Sequence, residues 1–279
     1  MQELERAKVE LAAVPPVRLA TLLPGGRYVG GVQMPGGTLD PHKLAQALLR
    51  SVREAGVEVS TRCGVLSVEQ AGRTFHVETE VGSVLADSVL VTAGAGVIRL
   101  PRRLAAPPGY RRTACFLATE PVPPEVLQSI LPEAQAVEAW YPSPRLFRLS
   151  ADRRRLLIGG LPQGLFDSPD KAMARLARWL GEMFPALAQV RLAHAWTAEL
   201  DFPLHGVPRL GGGRGLYHMS GLGWAEPAMA LWFGRKLALR ALGDEEGQSA
   251  FDAARRPRLL HRATRRWLQP AEAMLATRG

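Results

Sequence analysis

Cysteine is scarce: Cys63 and Cys115 are the two in 279 residues, and no CxxC spacing joins them. That excludes a disulfide-stapled framework and a cysteine zinc site, and it fits a reducing cytoplasm. Lysine is limited to Lys8, Lys43, Lys171 and Lys236, so nearly all of the 35 basic residues are arginine. No apolar run approaches the ~18 residues that a spanning helix needs. The start, MQELERAKVELAAVPP, lacks the apolar stretch of a secretory signal, so the expectation is a soluble, unprocessed chain. His42, His76, His194, His205, His218 and His261 form no HxxH or HxxxH pair, which argues against a metal centre. The absence of GxSxG and of a Walker loop removes the readily legible hydrolases and nucleotide triphosphatases.

Apolar residues make up 47% of the chain and the net charge is +9, which excludes a disordered or collagenous polymer. The length suits two domains or one large α/β domain, with material for a buried core. Arginine is dense only in the tail, at Arg255, Arg256, Arg258, Arg262, Arg265 and Arg266. A solvated helix face accounts for such a run, with an anionic surface as the alternative; nucleic-acid binding would call for interleaved aromatics or a reader motif.

Asp40 followed by Pro41 is a helix start, Leu44, Leu48 and Val52 repeat on one face, and Gly56 is placed to end the helix. Short β-type runs follow at Val57–Ser60, Val65–Val68, Phe75–Glu80 and Ser83–Ala86, and read as a small meander. Ser88–Thr92 is a continuous apolar strand expected to be buried on both faces, ending in Ala93, Gly94, Ala95 and Gly96. Ala114–Thr119 predicts another strand. Arg145–Ser150 and Arg155–Gly160 predict a hairpin turning at Ala151 and Asp152. Pro169–Phe184 predicts a core-packing helix through Met173, Leu176, Ala177, Leu180 and Phe184. Strands at Val190–Trp196 and Leu216–Ser220 and a helix over Pro227–Leu242 complete the pattern: α/β, with an antiparallel second half.

Two glycine turns follow strands. A GxGxxG fingerprint needs a third glycine where Arg99 stands, and Leu100-Pro101 forbids a helix there, so Gly94-Ala95-Gly96 is not a primary pyrophosphate loop. Its small residues permit close approach of a ligand held elsewhere, or serve a tight turn. Gly221-Leu222-Gly223-Trp224 precedes a helix whose N-terminus, with its free N–H groups, favours an anionic group, or else the glycines serve packing.

Taken in order, the segments resemble the D-amino-acid-oxidase-like FAD-dependent oxidoreductases, the DAO family. The residues that carry this are GGTLDPHKLAQALLRSVREAGVEV (Gly36–Val59), DSVLVTAGAG (Asp87–Gly96), LFRLSADRRRLLIGG (Leu146–Gly160), AHAWTAELDF (Ala193–Phe202), VPRLG (Val207–Gly211) and GLYHMSGLG (Gly215–Gly223). The third and fourth blocks look most like the gamma-glutamylputrescine oxidase branch. The resemblance implies a flavin enzyme with FAD as cofactor, oxidising the C–N bond of an amine or amino acid by hydride transfer. It places Val65, Ala93, Gly94 and Ala95 near the dinucleotide, Gly221, Leu222, Gly223 and Trp224 beside the isoalloxazine, and Arg148 and Trp196 in the substrate cavity. It divides the chain into a substrate domain (1–37 and 101–203), the remainder of a Rossmann-like FAD-binding domain (38–100 and 204–243) and a basic helical tail (244–279).

Three departures accompany it. The strand–GxGxxG–helix unit with which the family begins has no counterpart in Met1–Gly30, so the expectation is a truncated chain, or one completed by a second chain supplying that unit. Ala198, Glu199, Leu200 and Asp201 follow Trp196-Thr197 where the amino-acid oxidases place a carboxylate-binding arginine; these acids would suit an amine cation or be exposed strand-end charges. Glu226 sits where it would oppose a developing flavin anion. The alternative is a cofactor-free, non-catalytic subunit or interaction module that keeps the fold.

Overall fold

The computed structural model describes residues 10–25, 28–99, 109–139, 144–162, 168–203 and 207–252. In chain order the elements are β1 (Ala12–Val14), α1 (Pro16–Leu22), β2 (Gly31–Gln33), α2 (Pro41–Glu54), β3 (Val65–Ala71), β4 (Thr74–Thr79), β5 (Gly82–Ala86) and β6 (Val89–Val91). They continue with β7 (Gly109–Thr119), α3 (Pro124–Ile130), β8 (Val137–Ala139), β9 (Arg145–Leu149), β10 (Leu156–Gly160) and α4 (Pro169–Met183). The last are β11 (Leu192–Pro203), β12 (Arg209–Gly213), β13 (Leu216–Ser220) and α5 (Glu226–Ala241). Two compact units share the chain: the first is Met1–Leu48 with Thr113–Ala198, the second Leu49–Arg112 with Glu199–Gly279.

The first unit is built on a five-stranded sheet in the order β11-β7-β10-β9-β8. Register aligns Leu117, Ile158 and Phe147 across β7, β10 and β9. Because side chains alternate along a strand, this row and Leu156 define one face. That face is fully buried, packed with Leu127 and Ile130 of α3, Leu176 and Leu180 of α4, and Leu19 and Leu22 of α1. α4 opens on Pro169 behind Ser168, whose side chain accepts from the Lys171 amide. The hairpin turns at Ser150–Arg155, where the Asp152 carboxylate accepts from Ser150 Oγ and the Arg154 amide and Arg153 takes a left-handed φ of 56°. Those two bonds also hold the Asp152 carboxyl below the usual carboxylate range.

The second unit contains the antiparallel meander β3-β4-β5 and a three-stranded sheet β12-β13-β6, in which β12 runs antiparallel and β6 parallel to β13. α5 covers this sheet with Phe233 and Leu237, packed on Leu210, Met219 and Leu222. Near its end, β12 tolerates no side chain at Gly212: its φ is 105°, and a Cβ would stand 2.1 Å from the Leu216 carbonyl oxygen.

α2 forms as the sequence dictates. Asp40 Oδ1 accepts from the amides of His42 and Lys43 at 3.0 and 3.1 Å, and Gly56 takes a φ of 79° just past the end. Two expectations change. Val57–Ser60 is irregular, so the meander has three strands and begins at Val65. The apolar run Ser88–Thr92 forms only the three-residue β6, and of its side chains Val91 alone is buried while Leu90 is 38% exposed. The reason is position: among the described residues β6 pairs with β13 alone and is therefore an edge, not a strand enclosed on both sides. The arginine-rich tail from 253 onward lies outside the described residues.

Candidate functional site

Because β6 and β13 are parallel neighbours, with Val91 opposite His218, their carboxyl ends lie side by side within the second unit. In open α/β sheets this is the edge at which ligands bind. Thr92, Ala93, Gly94 and Ala95 leave one strand there, and Gly221, Leu222, Gly223 and Trp224 leave the other. The two turns differ in character. Gly94 has a φ of 52° with no heavy atom within 4 Å of where a Cβ would stand, and Ala93 is exposed. This turn is an open cradle of small residues. Gly221, Leu222 and Gly223 are buried instead. A Cβ on Gly221 would meet Pro203 at 2.7 Å, and one on Gly223 would meet the Phe202 ring at 3.0 Å. Close packing on the end of β11 therefore demands these glycines. Val65 lies in the same unit at the start of β3, 46% exposed. All eight residues expected around the dinucleotide thus belong to the second unit.

The two acidic residues after Trp196 are not alike. Glu199 is half exposed and sits 3.5 Å from the Arg111 guanidinium. Asp201 is 3% exposed, and its Oδ2 accepts the Gly221 amide at 2.7 Å, so it is no strand-end surface charge. Burial pushes its carboxyl up, against the Gly221 amide and the Arg111 charge, which pull it down. Nearby in β13, His218 is held below the ordinary histidine range, first by burial and then by Arg209 and Arg240. It lies flat across β12, where a Cβ on Gly211 would meet the ring at 2.5 Å. Glu226 opens α5, but its side chain lies outside the described part of the structure.

In the first unit, Arg148 aligns with Leu157 and, through it, with Ala118. This row points to the sheet face opposite the packed core. Phe116 points the same way, and Trp196 stacks on it with ring centroids 5.5 Å apart and planes 13° apart. Gly159 makes the stack possible, since a Cβ there would fall 2.7 Å from the Phe116 ring. Arg148 is half-buried and donates from Nη1 to the Leu149 carbonyl at 3.1 Å. The structure thus puts Arg148 and Trp196 on one sheet face, three strand spacings apart, or roughly 14 Å. Sequence reading missed Phe116 and Gly159. The alternation of Cys115, Leu117 and Thr119 about Phe116 was the available signal, but only register assigns the two faces. Among the described residues no cluster of His, Cys, Asp and Glu could hold a metal ion, and no helix is long and apolar enough to cross a membrane.

Residues 1–240 match the family described as DAO, FAD dependent oxidoreductase. The chain belongs to that family. It is 26% identical over 238 residues to the probable oxidoreductase OrdL of Haemophilus influenzae, covering 82% of this chain and 53% of that protein. With the gamma-glutamylputrescine oxidoreductase of Escherichia coli it shares 27% identity over 230 residues, covering 81% of this chain and 53% of the relative. The chain therefore spans about half the length of these curated relatives. Among solved structures, glycine oxidase from Geobacillus kaustophilus superposes with a TM-score of 0.75 at 21% identity, over 90% of this chain and 67% of that one, a likeness of fold.

Proposed function

We propose that this chain forms the substrate domain and the remainder of the FAD-binding domain of an oxidoreductase acting on the C–N bond of an amine or amino acid. A strand–GxGxxG–helix unit not contained in these 279 residues would complete it. The observation that carries this reading is the pair of parallel strand ends in the second unit. No described atom stands within 4 Å of where a Cβ on Gly94 would lie, and the Gly221–Trp224 loop leads into the N-terminus of α5, which favours negative charge. FAD, when bound, supplies the hydride acceptor.

The chain's own residues do the rest. Ala93, Gly94 and Ala95 admit the dinucleotide without side-chain obstruction, and Val65 offers its backbone on the adenosine side. Gly221, Leu222, Gly223 and Trp224 border the ring system, and the amides at the start of α5 favour electron density there. Arg148 and Trp196 line the substrate surface, Arg148 attracting an anionic group and the Trp196–Phe116 stack excluding water. The missing piece is the diphosphate cradle, since no GxGxxG occurs in the chain. Among the described residues β6 has one unpaired edge, which a further parallel strand would pair, and beside it Leu90 is 38% exposed.

Purifying the chain alone and with the product of an adjacent gene, then recording flavin absorbance and its loss on adding amines, tests this. Flavin that is retained with the second product and bleached by substrate is expected; none under both conditions overturns it. The buried state of Gly221 and Gly223 favours a second reading, a cofactor-free module that keeps the fold. Flavin uptake in the same experiment would remove that alternative.

A further inference from the structure

β11 ends in Leu200-Asp201-Phe202-Pro203, and its last three residues meet the loop that leaves β13. Pro203 closes the space beside Gly221, and Phe202 does the same beside Gly223. The Phe202 ring also meets Trp224 edge-on, with centroids 6.3 Å apart. These are shape contacts, which apolar side chains alone can make. Asp201 differs: it is a carboxylate with 3% exposure, and its Oδ2 takes the Gly221 amide at 2.7 Å, at the short end for an N–H···O bond. Its Oδ1 is buried and has no partner among the described residues. A buried acceptor left half-satisfied costs free energy, so such a group calls for an explanation. What it fixes is the amide of a glycine with a φ of 76°, the first residue of the loop. The charged groups facing it are Arg111 from β7 and, through Arg111, Glu199 from β11.

We propose that Asp201 is a positioning residue: by holding the Gly221 amide it sets the direction in which the loop to Trp224 and the first turn of α5 present their N–H groups. The proposal rests on the flavin reading above only for its consequence, that cofactor affinity depends on this pinned loop. An apolar residue at 201 would keep the packing and lose the direction. An asparagine would keep one acceptor oxygen for the Gly221 amide while removing the charge and turning the unpartnered oxygen into an NH2 group.

The test uses the full chain, with amide hydrogen exchange measured residue by residue in the absence of flavin. Asp201→Ala should reduce protection of the Gly221 amide at least 100-fold while the amides of β9 and β10 are unchanged. Asp201→Asn should restore protection to within tenfold of the parent. If Asp201→Ala fails to fold, Asp201→Glu, whose extra methylene moves the oxygens off the amide, takes its place with the same expectation. Gly221 protection that is unaffected by either variant, or not rescued by Asn, overturns the proposal. In the completed assembly, FAD should bind at least tenfold more weakly to the Ala variant and within threefold of the parent to the Asn variant. Equal FAD binding by all three would overturn the link to affinity. If the parent assembly takes up no FAD at all, the flavin reading fails, while the exchange result still decides what Asp201 does.

Discussion

The two units solve the burial problem with very different completeness. The first encloses one continuous core in which Phe147 and Leu156 are wholly buried and helices α1, α3 and α4 back a five-stranded sheet. The second has a small core around Leu210, Phe233 and Leu237, and it leaves Leu66, Val84 and Leu85 largely in solvent and Leu90 partly so. Among the described residues its short mixed sheet also ends in β6 as an edge strand. Scattered exposed apolar side chains are ordinary, but apolar strands beside an unpaired edge are what the proposed completing unit would have to cover. The contrast separates a unit whose described side chains close a large core from one whose described side chains close a small one.

The largest expected effect comes from cutting into each core. Phe147→Ala and Phe233→Ala should each cost about 3–5 kcal/mol, measured by urea unfolding. Hydrogen exchange should place the loss from Phe233→Ala in β12, β13 and β6, leaving β9 and β10 protected. Simultaneous loss in both units would mean that they unfold as one body, and the comparison would break. Gly212→Ala comes next, at about 3 kcal/mol, because the new Cβ meets the Leu216 carbonyl at a positive φ that only glycine adopts readily. Gly159→Ala in the first unit should cost less, since the Phe116 ring can rotate aside, and its signature is a changed near-ultraviolet signal from the Phe116–Trp196 stack.

A pH dependence sharpens the comparison further. His218 is held below its ordinary 6.5, so the folded protein resists its protonation; the stability it contributes is present above 6.5 and is lost as pH falls below that value. Asp201 acts in the opposite sense: its carboxyl is raised above 3.8, so its contribution declines as pH climbs from there. Exchange protection in the second unit should therefore weaken on acidification from neutral pH, and His218→Gln should flatten that trend. The smallest effect is expected from Leu90→Lys, within about 0.5 kcal/mol for the chain alone. The same substitution should abolish capture of flavin with the completing unit. A large loss of stability in the isolated chain would show that Leu90 is already covered.

Much of this was legible in the residues themselves. Local signals were enough for α2, where Asp40, Pro41 and Gly56 mark both ends, and for α4 and the β9–β10 hairpin. Val57–Ser60 was misread because β-branched residues there merely follow a helix, and strand propensity without a pairing partner does not make a strand. β6 was misjudged for a related reason: an apolar run says a strand can be buried, not that its neighbours are present to bury it. The candidate site divides the same way. Gly94, Gly221 and Gly223 announced themselves as glycines after strands, but which turn is open and which is packed depends on Phe202 and Pro203, and so on β11 lying beside them. Asp201 looked like one of two interchangeable acids. Only the tertiary position of the Gly221 amide distinguishes it from Glu199.

Each unit is assembled from two stretches of chain, and the core of the first joins Val14, Leu19, Leu22 and Leu23 to side chains between Leu117 and Leu187. On the ribosome, those residues must wait for more than ninety others to emerge before their neighbours exist. Closure of the better-built unit is thus a late event in synthesis, and until then the apolar side chains of α1 have no core to join.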